Sequence, residues 1–297
     1  MTEGVTEVDL ALLRTLPLPE LPEDSDKDAR GQVLVVAGGP RVPGAPLLTG
    51  LAALRAGAGK LQLAATRASA FALGMAAPEA AIVGVYGEAD GELGLQAATL
   101  LVEAAQAADA VVVGPGMMGR DAPRLAARLL EDAPDARFVV DAGAMTDILH
   151  RAPRREREPR LVLTPHAGEM AKMLGGSRDE VQRDPRGAAR QAAQTAGAVV
   201  VLKGQDSYIA APDGRLWRHS GGVVGLGTSG SGDVLAGVIA GLLARGASAE
   251  AAALRGVSVH AAAGRRLARK VGPLGFLARE IVEAVPRALA ASAPGSP

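Results

Sequence analysis

Residues 227–233, GTSGSGD, hold the densest chemical signal in the chain, with four glycines among residues 225–232 followed directly by an acid. Glycine adopts backbone dihedrals that turn successive amides toward one point, and a helix beginning there adds its positive end. The run therefore predicts an anion hole for phosphate, with Gly230, Ser231 and Gly232 holding a nucleotide and Asp233 beside it as the base. Placed at or near the helix N-cap, Asp233 is expected to stay ionised, because amides and the helix dipole favour its charge. Capping alone would not call for so many glycines.

Five other loops follow apolar runs and offer groups to a ligand. The first, GGPRVPGAP at 38–46, leads into a helical pattern and reads either as a backbone approach to an anion or as a tight turn. GPGMMG at 114–119 directly follows an apolar run, where substrates meet backbone in open α/β sheets, although a simple strand-ending turn explains it equally well. Asp141 also ends an apolar run, and capping of 142–149 is the favoured reading over a role in the site. In TPHAGE, 164–169, His166 and Glu169 lie three apart on a first helical turn. They could face one ligand, with Glu169 near magnesium or phosphate, or Glu169 could simply favour the helix dipole. Lys203-Gly204, with Ser207 shortly after, pairs a cation for phosphate with a glycine that permits close backbone approach.

The elements that must position these loops follow from the hydrophobic pattern. Short, β-branched, mostly continuous apolar runs recur at 33–37, 61–65, 81–85, 110–113, 138–140, 161–163, 199–202 and 208–211, as expected of strands buried on both faces. Helical patterns lie between and after them, at 46–57, 94–107, 122–130, 168–174, 187–196, 233–244, 248–268 and 277–291. This alternation predicts an α/β fold with a mainly parallel central sheet and helices on both faces. Residues 1–30, rich in proline and acid, read as a leader draped over a single domain spanning 31–297.

Composition removes several function classes. Lys plus Arg and Asp plus Glu balance at 32 each, which leaves no basic field for a nucleic acid or an anionic membrane. Cysteine is absent, so disulfides and thiolate chemistry are excluded. No apolar stretch reaches the roughly 20 residues of a membrane span, and the acidic N-terminus lacks the features of a signal peptide, so a cytoplasmic location is expected. The loop at 38–46 after the first apolar run does not match GxGxxG, and the second run ends AATR at 64–67 without a ribose-binding acid, so it is not a Rossmann fingerprint; no GxxxxGK[ST] occurs, which excludes a P-loop.

Taken together, GGPRVPGAP, GPG, DAGAM, TPHAGE, KGQDS and GTSGSGDVLAG, in that order from about residue 31 to 285, resemble the ADP-dependent NAD(P)H-hydrate dehydratase family of the ribokinase-like fold. The resemblance implies a lyase that repairs hydrated NADH or NADPH and consumes ADP, or ATP, with Mg2+, giving AMP and phosphate. It assigns Ala45, Gly116, His166 and Asp233 to the hydrated dinucleotide, and Lys203, Gly204, Gln205, Asp206, Ser207 and Gly232 to the adenine nucleotide. The family's usual TGGTGD stands here as TSGSGD, its DADAL as DAGAM, and its KGxxT ends in Ser207, which keeps a hydroxyl. The resemblance further implies a homo-oligomer, a tetramer, and a dehydratase without the epimerase domain that many relatives carry. Two rivals share the glycine-rich loop: a small-molecule kinase of the same fold, which typically has Asn where His166 stands, and a nucleotide-sensing module without turnover.

Overall fold

Runs of valine and leucine too short for helices pair into one ten-stranded sheet in the computed structural model, which describes residues 4–16, 18–20, 25–146, 148–151 and 159–292. The strands are β1 (Thr6–Glu7), β2 (Gln32–Val36), β3 (Lys60–Thr66), β4 (Ala80–Val85), β5 (Ala110–Val113), β6 (Arg137–Val140), β7 (Leu161–Leu163), β8 (Val199–Leu202), β9 (Ser207–Ala210) and β10 (Leu216–His219). Their order across the sheet is β1-β10-β9-β8-β7-β6-β5-β2-β3-β4. From β8 to β4 all neighbours are parallel, with Val35 level with Leu63 on one side and Val112 on the other, whereas β9 runs antiparallel to β8 and β10.

Among the described residues, twelve helices cover the two faces: α1 (Leu10–Arg14), α2 (Ala45–Arg55), α3 (Arg67–Ala76), α4 (Ala98–Gln106), α5 (Ala122–Asp132), α6 (Ile148–Arg151), α7 (Ala167–Leu174), α8 (Arg178–Arg183), α9 (Pro185–Ala196), α10 (Ser231–Ala244), α11 (Ala249–Lys270) and α12 (Ala278–Ala290). Because successive strand residues point to opposite faces, Val33 and Val35 join a core with α2, α10 and α11, while Leu34 and Val36 join another with α4, α5 and α9. Every residue of β5 and β8 is buried, which explains why their sequences are continuously apolar.

Eight strands fall within one residue of the expected runs. β1, β10, α3 and α8 are additional. α3 turns Phe71 and Met75 to solvent, so it lacks the inward stripe that marks a helix in sequence. The N-terminal segment, expected to drape over the domain, supplies the edge strand β1, parallel to β10. The buried guanidinium of Arg255 on α11 then donates to the carbonyls of Leu13 at 2.6 Å and Leu16 at 2.8 Å.

Strand order reverses between β2 and β5, and in open α/β sheets this is where a crevice forms beyond the strand carboxyl ends. The loops after β2, β5, β6, β7 and β8 all open there, and they are the loops singled out by their residues.

Candidate active site

Parallel pairing of β6, β7 and β8 sets Asp141, Thr164 and Lys203 side by side just past their strand ends. Asp141 was expected to cap the following turn. Its side chain makes no such bond, and instead Oδ1 accepts from the Thr164 hydroxyl at 2.8 Å and from Lys203 Nζ at 2.9 Å. The capping reading failed because a sequence does not reveal which strand ends adjoin. With 3% of its side chain exposed, Asp141 needs a nearby cation, and Lys203 supplies it.

Lys203 Nζ also lies 3.9 Å from Glu169 Oε2. Burial disfavours its ammonium, yet Asp141, Glu169 and Asp233 together outweigh burial and hold its pKa above the ordinary lysine value. It is a fixed positive charge, suited to phosphate rather than to proton transfer.

The start of α10 is built by Gly230, whose φ of +84° reverses the chain into the helix as the N-cap residue. A side chain there would face that backbone strain and come 2.6 Å from Leu48 Cδ1. The Ser231 amide donates to the Thr228 carbonyl at 3.2 Å, so the amides of Gly232 and Asp233 are the donors left open at the helix start among the described residues. Gly232 lies against Lys203 Nζ, where a Cβ would stand 3.4 Å from the ammonium. Amides, helix dipole and lysine thus converge on one anion position.

Asp233 occupies the third position of α10 rather than the N-cap, and no protein group among those described donates to its carboxylate. The expectation that helix amides keep it ionised does not hold. Burial, reinforced by the Asp141 charge and opposed by Lys203, raises its pKa to about 7. A carboxyl poised near neutrality and free of protein partners has the properties of a general base.

His166 and Glu169 were read either as facing one ligand or as a helix start, and the helix start is what the local geometry shows. They form a reciprocal capping box: His166 Nδ1 accepts from the Gly168 and Glu169 amides at 3.0 and 3.2 Å, and Glu169 Oε2 accepts from the His166 amide at 2.8 Å. Since Nδ1 accepts, Nε2 carries the proton, and it lies 3.4 Å from Glu169 Oε1. Among the described residues no three His, Asp or Glu side chains converge as a protein metal site would require, and Glu169 is occupied by the helix start.

Two cavities flank this helix start. One, of about 670 Å³, is lined by Lys203, Gly204, Gln205, Ser207, Ser231 and Gly232, with Leu226, Leu235, Val257 and Ala261 as an apolar wall. The other, of about 710 Å³, is lined by Gly116, His166, Glu169, Gly230 and Asp233. His166 borders both, so the two chambers meet beside Asp233. Two predicted contacts sit apart from them. Ala45 is buried beneath Gly116, where a Cβ on residue 116 would come within 2.6 Å of its own, and Asp206 lies beside Arg218 at 3.8 Å, off the first cavity.

Residue reading missed two members of this site besides the role of Asp141. Thr164 anchors Asp141, and His260 on α11 places Nε2 3.1 Å from Ser231 Oγ and 3.0 Å from its carbonyl. Burial depresses the His260 pKa to about 4, against the opposing bond to Ser231, so it is neutral near pH 7. His260 has no partner at metal-ligand spacing in sequence, and only the packing of α11 on α10 brings it to the loop.

With this geometry in place, resemblance to known proteins becomes specific. A family model described as NAD(P)H-hydrate dehydratase matches residues 33–287. The ADP-dependent (S)-NAD(P)H-hydrate dehydratase of Xanthomonas campestris is 48% identical over 95% of both chains. The ADP/ATP-dependent NAD(P)H-hydrate dehydratase of Bacillus subtilis, co-crystallised with ATP and Mg2+, superposes with a TM-score of 0.82 at 29% identity, covering 96% of this chain and 98% of that one. A ribokinase-like superfamily protein of Enterococcus faecalis gives the same TM-score, 0.82, at 24% identity over 99% of this chain and 98% of its own, which marks the fold as ribokinase-like. With the six loops in family order and gathered around two chambers that meet at Asp233, the chain belongs to the NAD(P)H-hydrate dehydratase family.

Proposed function

We propose that the chain is an ADP-dependent lyase that dehydrates (6S)-NADH hydrate and (6S)-NADPH hydrate back to NADH and NADPH, releasing AMP and phosphate. The observation that carries this reading is Asp233, a carboxyl raised to about 7 and without a protein partner, at the junction of two chambers large enough for two nucleotides. ADP occupies the chamber of Lys203, Gly204, Gln205, Ser207 and Ser231, with its terminal phosphate on the Gly232 and Asp233 amides. The hydrated ring lies over Gly116, with His166 Nε2 as a donor and Asp233 facing the ring hydroxyl.

Hydroxide leaves poorly, and its conversion to a phosphate ester removes that barrier. Asp233 takes the hydroxyl proton as the oxygen bonds to the terminal phosphorus of ADP, and the bond from that phosphorus to the bridging oxygen breaks to free AMP. Charge on the transferred phosphoryl falls on the helix-start amides and Lys203. The ring nitrogen then pushes out phosphate, a proton leaves the adjacent ring carbon, and the reduced nicotinamide returns.

ADP is the expected co-substrate, with ATP the alternative. Mg2+ would accompany the nucleotide, with Glu169, 3.9 Å from Lys203 Nζ, the carboxylate proposed to lie near it. When bound it would neutralise phosphate charge. We read residues 31–297 as one domain, place the protein in the cytoplasm, and expect a homotetramer. The support for assembly is the apolar surface of α3, where Phe71 is 81% and Met75 71% exposed. No described helix is long and apolar enough to cross a membrane.

The decisive assay incubates the protein with NADH hydrate and ADP and follows recovery of reduced-nicotinamide absorbance, with AMP and phosphate quantified alongside. Asp233→Asn is expected to abolish recovery while leaving the Kd for ADP nearly unchanged. Undiminished turnover by Asp233→Asn removes the base, and a stable phosphorylated alcohol formed from ATP without regenerated NADH replaces the reading with a kinase. Binding without any turnover would mark a nucleotide sensor.

A further inference from the structure

We infer that Arg120 and Lys172 recognise the pyrophosphate of the dinucleotide in the substrate chamber, an inference that rests on the function proposed above. The two cations come from different elements, Arg120 from the loop that leads into α5 and Lys172 from α7, yet both line the cavity that contains Asp233. Both are exposed, and neither makes an ion pair among the described residues. Three basic groups nearby are already committed. Lys203 bonds Asp141, Arg218 bonds Glu7, and Arg124, next along α5, bonds Asp121.

Charge balance makes these two cations necessary. The chamber carries Asp233 and Glu169, and Asp141 lies close behind Lys203. A hydrated dinucleotide brings two further negative charges on its pyrophosphate, which the open amides of α10 cannot meet because they serve the phosphate of ADP. The rest of the lining divides by polarity in a matching way. Met117, Met118, Met145 and Met173, four of the chain's seven methionines, give a soft apolar surface fit for ring and ribose. Arg120 and Lys172 are the positive groups on that lining. Arg120 offers a planar fork and Lys172 a point charge, a pair that can hold two phosphates without binding the nicotinamide itself.

The test uses charge-neutral variants, Arg120→Gln and Lys172→Gln, singly and together, with full-length protein. For the double variant the KM for NADH hydrate should rise by about tenfold or more, the scale of one lost charge-assisted contact, while the KM for ADP stays within about twofold. The rise should be equal for NADH hydrate and NADPH hydrate, because the pyrophosphate is common to both. Arg120→Lys with Lys172→Arg should recover most of the loss. An unchanged hydrate KM in the double variant overturns the inference, and so does a loss confined to NADPH hydrate, which would place the cations on the 2′-phosphate. Calorimetric titration with NADH hydrate separates this inference from the function. Wild-type protein that binds the hydrate without turnover defeats the lyase reading, whereas equal Kd values in wild type and double variant defeat the pyrophosphate site.

Discussion

At the scale of single residues, the pH dependence expected of the proposed reaction rests on Asp233. Asp233 stands out in sequence because a glycine-rich run ends on it, but its pKa depends on Asp141, brought close by a strand almost a hundred residues earlier. Burial and Asp141 raise the carboxyl to about 7, and Lys203 pulls it down. A base must be deprotonated to act, so kcat/KM for the hydrate is expected to rise with pH and level off above about 7. Lys203→Met removes the one influence that lowers the pKa, so the rising limb should move to higher pH as the rate falls. A limb near pH 4 in the wild-type profile would show that Asp233 titrates as an ordinary carboxyl. His166 teaches the same lesson. Its position at a strand end was readable, but its engagement in a capping box with Glu169 required the local backbone geometry of α7.

Elements were legible where burial imposes a pattern. β5, β8 and the body of α10 are continuously apolar because sheet and helices enclose them, and all three were expected close to where they stand. β1 is two residues long and α8 six, too short to display a period, while β10 mixes Trp217 with Arg218 and His219. What sequence could not disclose is the closeness of α10 to α2. Gly237 and Gly241 let the two helices meet backbone to backbone, and a Cβ on Gly237 would be driven into the Thr49 carbonyl oxygen and within 2.8 Å of Ala52 Cβ. Gly237→Ala gains about 1 kcal/mol of helix propensity but must push the packed helices apart, at about 1–3 kcal/mol or more. Because the obstacle is backbone, the cost of separation should win. The urea midpoint is expected to fall with little change in slope, and hydrate turnover to fall with it, since α10 carries Asp233 and α2 begins at Ala45 under Gly116. A midpoint equal to that of wild type would mean that α2 yields without cost.

At the scale of the whole molecule, the fold class followed from alternation of strand and helix patterns, but the active site depends on sheet order, which no local pattern states. Asp141, Thr164 and Lys203 become neighbours only because β6, β7 and β8 are adjacent, and the two chambers exist because order reverses between β2 and β5. The same order leaves β4 at one edge of the sheet, flanked by α3 with Phe71 and Met75 four residues apart on its outer face. Residues this apolar and this exposed on one stripe are the mark of a surface that associates. A homo-oligomer built from closed symmetry would bury the stripe against the same stripe of a second copy. That contact alone closes at two copies, so the proposed tetramer, with an expected light-scattering mass of four times the 30.0 kDa of one chain, joins two such pairs through a second interface. Phe71→Glu with Met75→Glu places like charges face to face across such a contact and should lower the measured mass to that of a smaller assembly. The variant should keep its far-ultraviolet spectrum, because both side chains point away from the core. A single-chain mass for wild-type protein defeats the tetramer, and an unchanged tetramer in the double variant moves the interface away from α3.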